Sequence, residues 1–134
     1  MCLYITKDSK RLKASEDIIC YKYIIKLGNY ITPYRKMPVS IGSTYESRLI
    51  KNKSGEINLG LHSVCGIENL YDICKYNRQY IPVKCVIPKG SWYYQGKFGV
   101  YSGYASTKII YQEIIDMCDL KESIRVLEEL RNMC

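Results

Sequence analysis

The chain has few of the residues and none of the motifs on which most familiar catalytic sites depend. Its 134 residues include a single histidine, His62. The sequence contains no Walker phosphate loop, no GxGxxG, GxSxG or HExxH motif and no RNA-recognition aromatic motif. Most familiar enzyme classes are therefore excluded, and no cofactor is expected.

Long apolar runs are also missing. No stretch approaches the roughly 20 apolar residues that span a bilayer, and the start of the chain has too short an apolar segment for a secretory signal. The seven cysteines are odd in number and none is paired in CxxC spacing, so the thiols are expected to be reduced rather than joined in a disulfide framework. These absences predict a cytoplasmic protein without a membrane partner.

What the chain has in excess is positive charge, and the excess lies in the first half. The formal net charge is +7. Residues 1–55 carry 11 lysines and arginines against 4 acidic residues, whereas residues 56–134 carry 9 of each. Such an asymmetry predicts a face that attracts phosphate, nucleotide or nucleic acid. A solvated surface without a ligand explains the same charge, so both interpretations stay open at this point.

The length of the chain is that of one domain, and its apolar pattern predicts a sheet. We expect residues 1–134 to form a single domain, with residues 1–14 as a partly ordered basic lead-in. Segments rich in β-branched and aromatic residues predict strands. The main ones are residues 17–27, 29–34, 57–64, 80–87 and 107–115. The first two are expected to form a hairpin around Gly28 and Asn29.

Two helices are expected beside this sheet. Apolar residues at helical spacing predict a middle helix over about residues 66–77 and a C-terminal helix over about residues 119–133. Asp119 is placed to cap the second helix, with Glu122 three residues further on as in a capping box. The predicted fold class is therefore α+β, a curved and mostly antiparallel sheet packed by both helices. A closed barrel is the alternative.

The segment from Gly60 to Ser63 holds the only imidazole, at the point where a strand is expected to lead into the middle helix. His62 suits a general base or a phosphate-binding donor, because its ordinary pKa is close to neutrality. A structural histidine, hydrogen-bonded at this corner, is the alternative. Ser63 is expected to cap the helix rather than act as a nucleophile, because neighbouring strand residues point to opposite faces. His62, Cys65 and Cys74 would give zinc only three ligands, so no metal is expected.

Basic and aromatic residues elsewhere supply further candidate ligand-binding side chains. Arg35 follows Tyr34 in a loop between two prolines, and a guanidinium beside an aromatic ring suits phosphates and stacked bases. Tyr94 belongs to an aromatic segment that serves either as a stacking platform for a base or as core packing. Lys22 lies in the middle of a predicted strand, where a lysine is often only a solvated residue of the alternating pattern.

Several segments of the chain together carry a family resemblance. They are residues 17–22, 32–35, 60–63, 83–94 and 102–109. On these segments the chain resembles an uncharacterised family of small proteins from gut Bacteroides-type bacteria and their phages. The similarity runs from about residue 15 to residue 113 and is strongest from Lys84 to Tyr94. The resemblance implies an association with phages, but it implies no activity.

A more distant resemblance rests on the order of three features. A basic residue in an early strand, Lys22, is followed by the pair His62 and Ser63 before a helix and by a Gly-Ser-x-Tyr-Tyr turn at residues 90–94. This order is similar to that of ADP-ribosyltransferase and RNA 2'-phosphotransferase domains. The resemblance implies that Lys22 stands where those domains have arginine or histidine, and that no third catalytic motif is present. It therefore implies a degenerate, nucleotide-shaped cleft.

These observations favour a binding protein over an enzyme. The leading prediction is a small phage-associated protein that holds or sequesters a phosphate-bearing, nucleotide-like ligand without turnover, as an anti-defence protein would. The predicted ligand-binding residues are Lys22, Tyr34, Arg35, His62, Ser63 and Tyr94. One alternative is an ADP-ribosyltransferase-like enzyme acting on NAD or an RNA phosphate. Another is an interaction protein that binds a host protein or nucleic acid through its basic first half.

The predicted site depends on convergence in three dimensions. If Lys22 and Arg35 lie near His62, the three side chains form the edge of a cleft. If they lie elsewhere, His62 is a structural residue.

Overall fold

The computed structural model describes residues 3–5, 9–33 and 35–133. Within them the chain forms strands and two helices. The strands are β1 (Leu3–Tyr4), β2 (Leu12–Lys13), β3 (Ile18–Leu27), β4 (Asn29–Ile31), β5 (Thr44–Glu46), β6 (Ile50–Lys51), β7 (Glu56–Leu59), β8 (Leu61–Val64), β9 (Ile81–Ile87), β10 (Trp92–Phe98), β11 (Tyr101–Ser106) and β12 (Lys108–Ile114). The helices are α1 (Ile67–Cys74) and α2 (Met117–Asn132). The predicted α+β class, with one helix in the middle of the chain and one at its C-terminal end, is confirmed.

The strands form one strongly curved antiparallel sheet. Its order is β5-β12-β9-β3-β8-β11-β10-β1-β7-β6, with β2 beside β10 and β4 beside β3. The two outermost strands in this order, β5 and β6, are joined by residues 47–49 alone. Such a short connection spans at most roughly 14 Å. The two edges of the sheet therefore lie close together, and the sheet curls around an interior.

The predicted hairpin between the first two main strands is present. β3 pairs with β4 through Leu27 and Asn29, and Gly28 between them has a φ of 76°. This left-handed conformation is one that glycine adopts without steric cost. β1 and β2 lie within the stretch expected as a basic lead-in, and β1 is an inner strand between β10 and β7. Leu3 is fully buried there.

The segment predicted as one extended strand at residues 57–64 is divided into β7 and β8 at Gly60. A Cβ atom at this position would lie 2.8 Å from a side-chain carbon of Leu49, so only glycine fits without displacing that contact. The break directs β7 towards β1 and β6, and β8 towards β11 and β3. It therefore separates His62, on β8, from the outer edge of the sheet.

Both helices begin within two residues of the expected positions, but the cap of α2 differs. α1 buries Leu70 and Cys74, in agreement with the helical spacing in the sequence. The prediction that Asp119 caps α2 is wrong. Asp116 is the cap, and its carboxylate accepts a hydrogen bond of 2.7 Å from the backbone amide of Cys118. The chain stays extended until then because the amide of Ile115 still bonds the sheet, through the carbonyl of Pro82, at 2.9 Å.

Buried apolar side chains form two clusters on this framework. The helix-side cluster joins both helices to the sheet and consists of Leu3, Ile57, Val64, Leu70, Cys74, Tyr94, Phe98, Ala105 and Leu120. The strand-side cluster consists of Cys20, Ile24, Val39, Val83, Cys85, Ile87, Ile109 and Tyr111. Neither helix in the described part of the chain combines the length and the apolar character that crossing a bilayer requires.

Candidate functional site

A cavity of about 450 Å³ lies where β3 and β8 separate. The two strands pair at Tyr21 and Val64, and beyond this point β3 continues along β9 while β8 continues along β11. The lining also includes Tyr45 from β5 and Asn58 from β7, strands near opposite ends of the sheet order. The cavity therefore lies in the interior around which the sheet curls.

Four of the predicted ligand-binding residues line this one cavity. They are Lys22, Arg35, His62 and Ser63. Tyr94 does not line it, because its ring packs in the helix-side cluster with the ammonium of Lys51 5.9 Å from the ring centre. Tyr34 lies outside the described residues. The convergence on which the sequence prediction depended is thus present for Lys22, Arg35 and His62.

Lys22 extends its ammonium across the opening between the two strands. Nζ donates a hydrogen bond to the backbone carbonyl oxygen of His62. On β3 it shares a face with the buried residues Cys20 and Ile24, two positions away on either side, so its stem lies over the strand-side cluster. Burial lowers the pKa of Lys22, and the thiols of Cys20 and Cys85 oppose this change. None of the ion pairs between described residues includes Lys22.

His62 is held as a neutral imidazole. Nδ1 lies 3.1 Å from the carbonyl oxygen of Gly60, which places the ring proton on Nδ1 as the donor. Burial and, to a smaller extent, the charge of Lys22 lower the pKa of His62 to about 4. Nε2 is buried and has no hydrogen-bond partner among the described residues. The ring can therefore accept a hydrogen bond at Nε2, and it does not supply the cationic phosphate donor that the sequence suggested.

Ser63 lies inside β8 and does not cap α1, so the capping prediction is wrong. The strand continues through Val64, and the chain then turns at Gly66, whose φ is 83°. Gly66 occupies the N-cap position without a side-chain hydrogen bond. The Ser63 hydroxyl is buried and has no hydrogen-bond partner in the part of the chain that the structure describes. The hydroxyl lies near the thiol of Cys20, and burial raises the pKa of that thiol to about 11.

Arg35 reaches the cavity from a tightly bonded loop. The amide of Thr32 donates to the carbonyl of Met37 at 3.0 Å, and the amide of Lys36 donates to the carbonyl of Thr32 at 3.0 Å. The hydroxyl of Thr32 accepts a further bond from the amide of Met37 at 3.0 Å. Arg35 itself is exposed, so its guanidinium stands at the mouth of the cavity rather than in its interior.

Five aromatic side chains contribute to the walls of the cavity. They are Tyr21, Tyr23, Tyr45, Phe98 and Tyr111. The rings of Tyr45 and Tyr111 meet edge to face, with centres 5.3 Å apart. Tyr45 is further fixed because its hydroxyl accepts a bond of 2.8 Å from the amide of Ser40. The acidic residue in the lining, Glu46, is 3.5 Å from Lys108, an ion pair that balances its charge.

Sequence reasoning missed the aromatic walls. Tyr45 and Tyr111 meet because β5 pairs with β12 in the register that sets Tyr45 opposite Ile109. The alternation of β12 would identify Tyr111 as an inward residue, but the identity of its partner strand depends on the sheet order. Among the described residues, no group of His, Cys, Asp or Glu is arranged to hold a metal ion, and His62, Cys65 and Cys74 do not form one.

No protein-family model, no curated protein and no solved structure matches this chain. The resemblances drawn from the sequence therefore stay predictions, and the function is inferred from the cavity itself. The cavity is lined by the half-buried ammonium of Lys22, a guanidinium at its mouth, a neutral imidazole and aromatic rings.

Proposed function

We propose that the cavity binds a small phosphate-bearing ligand of the nucleotide type and holds it without turnover. The observation that carries this proposal is the ammonium of Lys22, which faces the cavity without an acidic partner among the described residues. Burying an unpaired charge is unfavourable, and an anion in the cavity would offset that cost. Arg35 at the mouth adds a second cation for the same anion.

The size and the walls of the cavity support a nucleotide rather than an inorganic anion. A volume of about 450 Å³ lies within the range of small-molecule sites. The rings of Tyr45, Phe98 and Tyr111 provide faces and edges for a planar base. The ring of His62 adds a further flat face to the same wall.

The protonation states of the neighbouring groups support binding without turnover. A histidine whose pKa is about 4 is a weak general base at neutral pH. Burial raises the pKa of Cys20 to about 11 and that of Cys85 to about 12, so both thiols stay protonated and are poor nucleophiles. Holding a ligand intact is the outcome that this set of groups favours.

A nucleotide panel tests the proposal directly. The protein is titrated with nucleoside mono-, di- and triphosphates and with NAD, while thermal stability and calorimetric binding are recorded. We expect at least one nucleotide to raise the melting temperature and to be recovered chemically intact. Release of nicotinamide or phosphate would instead identify an enzyme, and unchanged melting with every nucleotide would contradict the proposal.

Matched lysine variants locate the binding. Lys22→Met keeps a side chain of similar length but removes the buried charge, and we expect it to weaken nucleotide binding by at least about tenfold, the effect of losing a charge-assisted hydrogen bond. Lys26→Met removes an exposed charge from the same strand and should leave the affinity nearly unchanged. Equal binding by both variants would place the ligand outside this cavity.

A further inference from the structure

A second cationic and aromatic site lies outside the cavity, around the only tryptophan of the chain. Trp92 begins β10 and pairs with Lys13 of β2. The guanidinium carbon of Arg11 lies 5.1 Å from the centre of the indole, and Nζ of Lys13 lies 5.8 Å from it. Trp92 nevertheless keeps 40% of its surface exposed. We refer to Lys10, Arg11, Lys13 and Trp92 as the Trp92 surface.

The cations of this surface are held in place by the sheet. Beyond β2, the amide of Ala14 donates to the carbonyl of Ser91 at 2.8 Å, and the amide of Gly90 donates to the carbonyl of Ala14 at 2.8 Å. This contact brings the turn that carries Lys89, another exposed cation, to the border of the surface. Asp17 lies beside this turn, and its carboxylate accepts a hydrogen bond of 2.8 Å from the backbone amide of Lys89.

The Trp92 surface is distinct from the cavity. None of its residues lines the cavity. Lys10, Arg11 and Lys13 are all exposed, so their charges face water and the solutes in it. The neighbouring aliphatic residue, Leu12, alternates to the opposite face of the strand, where it is paired with Tyr93. The surface therefore presents one flat ring among cations rather than an apolar patch.

We propose that the Trp92 surface binds single-stranded nucleic acid. Indole stacks on the face of an unpaired base, and the stacking is tolerant of sequence because every base has such a face. Arg11 and Lys13 lie over the ring on flexible, exposed side chains, so they can move aside for a stacked base and pair with its neighbouring phosphates. A duplex keeps its bases stacked on each other, so it offers the ring no partner. This site is independent of nucleotide binding in the cavity.

The single tryptophan makes the test specific, because selectively excited tryptophan fluorescence reports Trp92 alone. The protein is titrated with an oligothymidine, with a duplex of the same length, and with phosphatidylserine-containing vesicles. We expect the oligothymidine to quench the fluorescence and the binding to weaken with salt. Arg11→Ala and Lys13→Ala should each lower the salt slope by about 0.7, whereas Lys26→Ala, which removes an exposed charge from the hairpin of β3 and β4, should leave it unchanged.

A labelled oligothymidine then measures the role of stacking. We expect Trp92→Leu, which keeps an apolar side chain but removes the aromatic face, to weaken binding roughly 5- to 150-fold while its thermal unfolding stays close to that of the original protein. Trp92→Phe, which keeps an aromatic face, should retain most of the affinity. Lys22→Met should bind the oligothymidine normally, which separates this site from the cavity. Quenching by vesicles but not by the oligothymidine would overturn the proposal in favour of a membrane surface. Equal affinity for the duplex, with no effect of Trp92→Leu, would overturn it as charge attraction alone.

Discussion

The cavity and the Trp92 surface both place cations beside aromatic rings. The cavity is partly enclosed by protein, whereas the Trp92 surface faces water. Lys22 holds its ammonium inside the protein, whereas Arg11 and Lys13 lie over Trp92 in contact with water. Two unit charges 4 Å apart interact with about 1 kcal/mol in bulk water and with about 4 kcal/mol at an effective dielectric constant of about 20, the value that describes sites enclosed by protein. One buried cation therefore has a large effect on a ligand, whereas a surface site needs several charges.

Burial also governs the titration of the groups that line the cavity. The pKa values of Lys22 and His62 are lowered, and in both cases burial is the largest cause. Burial disfavours the charged form of each group, and an anion beside Lys22 would restore the preference for its ammonium form. The following experiments test the difference between the two regions, beginning with the largest expected effect.

The largest effect is expected from acid titration of His62. Its pKa is lowered from 6.5 to about 4 in the folded protein. Between these values the unfolded chain binds more protons, so the folded state loses about 3 kcal/mol of stability as the pH falls from 6.5 to 4. His62→Gln lacks this titration. Denaturant unfolding at pH 7 and pH 4 should show a smaller loss for the variant, and an equal loss in both proteins would mean that His62 is not desolvated.

The next effect concerns Lys22→Met, which should separate stability from binding. Replacing a buried charge that has no ion-pair partner by an apolar side chain is often neutral or stabilising. We therefore expect an unchanged or higher free energy of unfolding together with the loss of at least about tenfold in nucleotide affinity. Urea unfolding and calorimetry measure the two quantities. A clear loss of stability would show that the hydrogen bond to His62 is Lys22's main role.

Salt should act more strongly on the exposed site. With two phosphates neutralised, a fourfold rise in salt weakens binding of a single strand by roughly sevenfold. Nucleotide binding in the cavity should weaken less, because Lys22 is shielded from the counterions of the solvent. Parallel titrations of an oligothymidine and of the best nucleotide measure this difference. Equal salt slopes would remove the distinction between the two regions.

Arg35→Ala should have the smallest effect of the series. The guanidinium is exposed at the mouth of the cavity, where water and salt screen its charge. We expect nucleotide affinity to fall about threefold and stability to stay within about 0.5 kcal/mol of the original protein. Lys36→Ala, in the same loop but outside the cavity lining, is the matched control. A loss as large as that of Lys22→Met would mean that the mouth, and not the interior, dominates binding.

Local patterns in the sequence were sufficient to predict the element types. β3 is rich in β-branched and aromatic residues, and it forms the expected hairpin at Gly28. The apolar spacing around Leu70 and Cys74 identified α1. These elements depend on interactions between residues close in sequence, which a single sequence displays directly. The excess of positive charge in the first half is also a property of composition alone.

The boundaries and the site were decided by contacts between distant residues. The sequence predicted Asp119 as the cap of α2, but the hydrogen bond from Ile115 to Pro82 holds the chain extended up to Asp116, which is the cap. Gly60 packs against the side chain of Leu49, which a Cβ atom there would have to displace. Neither contact leaves a mark in the local pattern, because each depends on the register of strands that meet only after the sheet has formed.

The sequence by itself determined that this chain forms an α+β fold with a basic first half, and it identified Lys22, Arg35 and His62 as candidate ligand residues. That these three side chains line one cavity depends on the tertiary structure. They lie on separate segments of the chain, around the point at which β3 and β8 diverge. The tertiary structure also decided their protonation states. The pKa of a side chain depends on how much water its neighbours remove, and those neighbours are set by the fold.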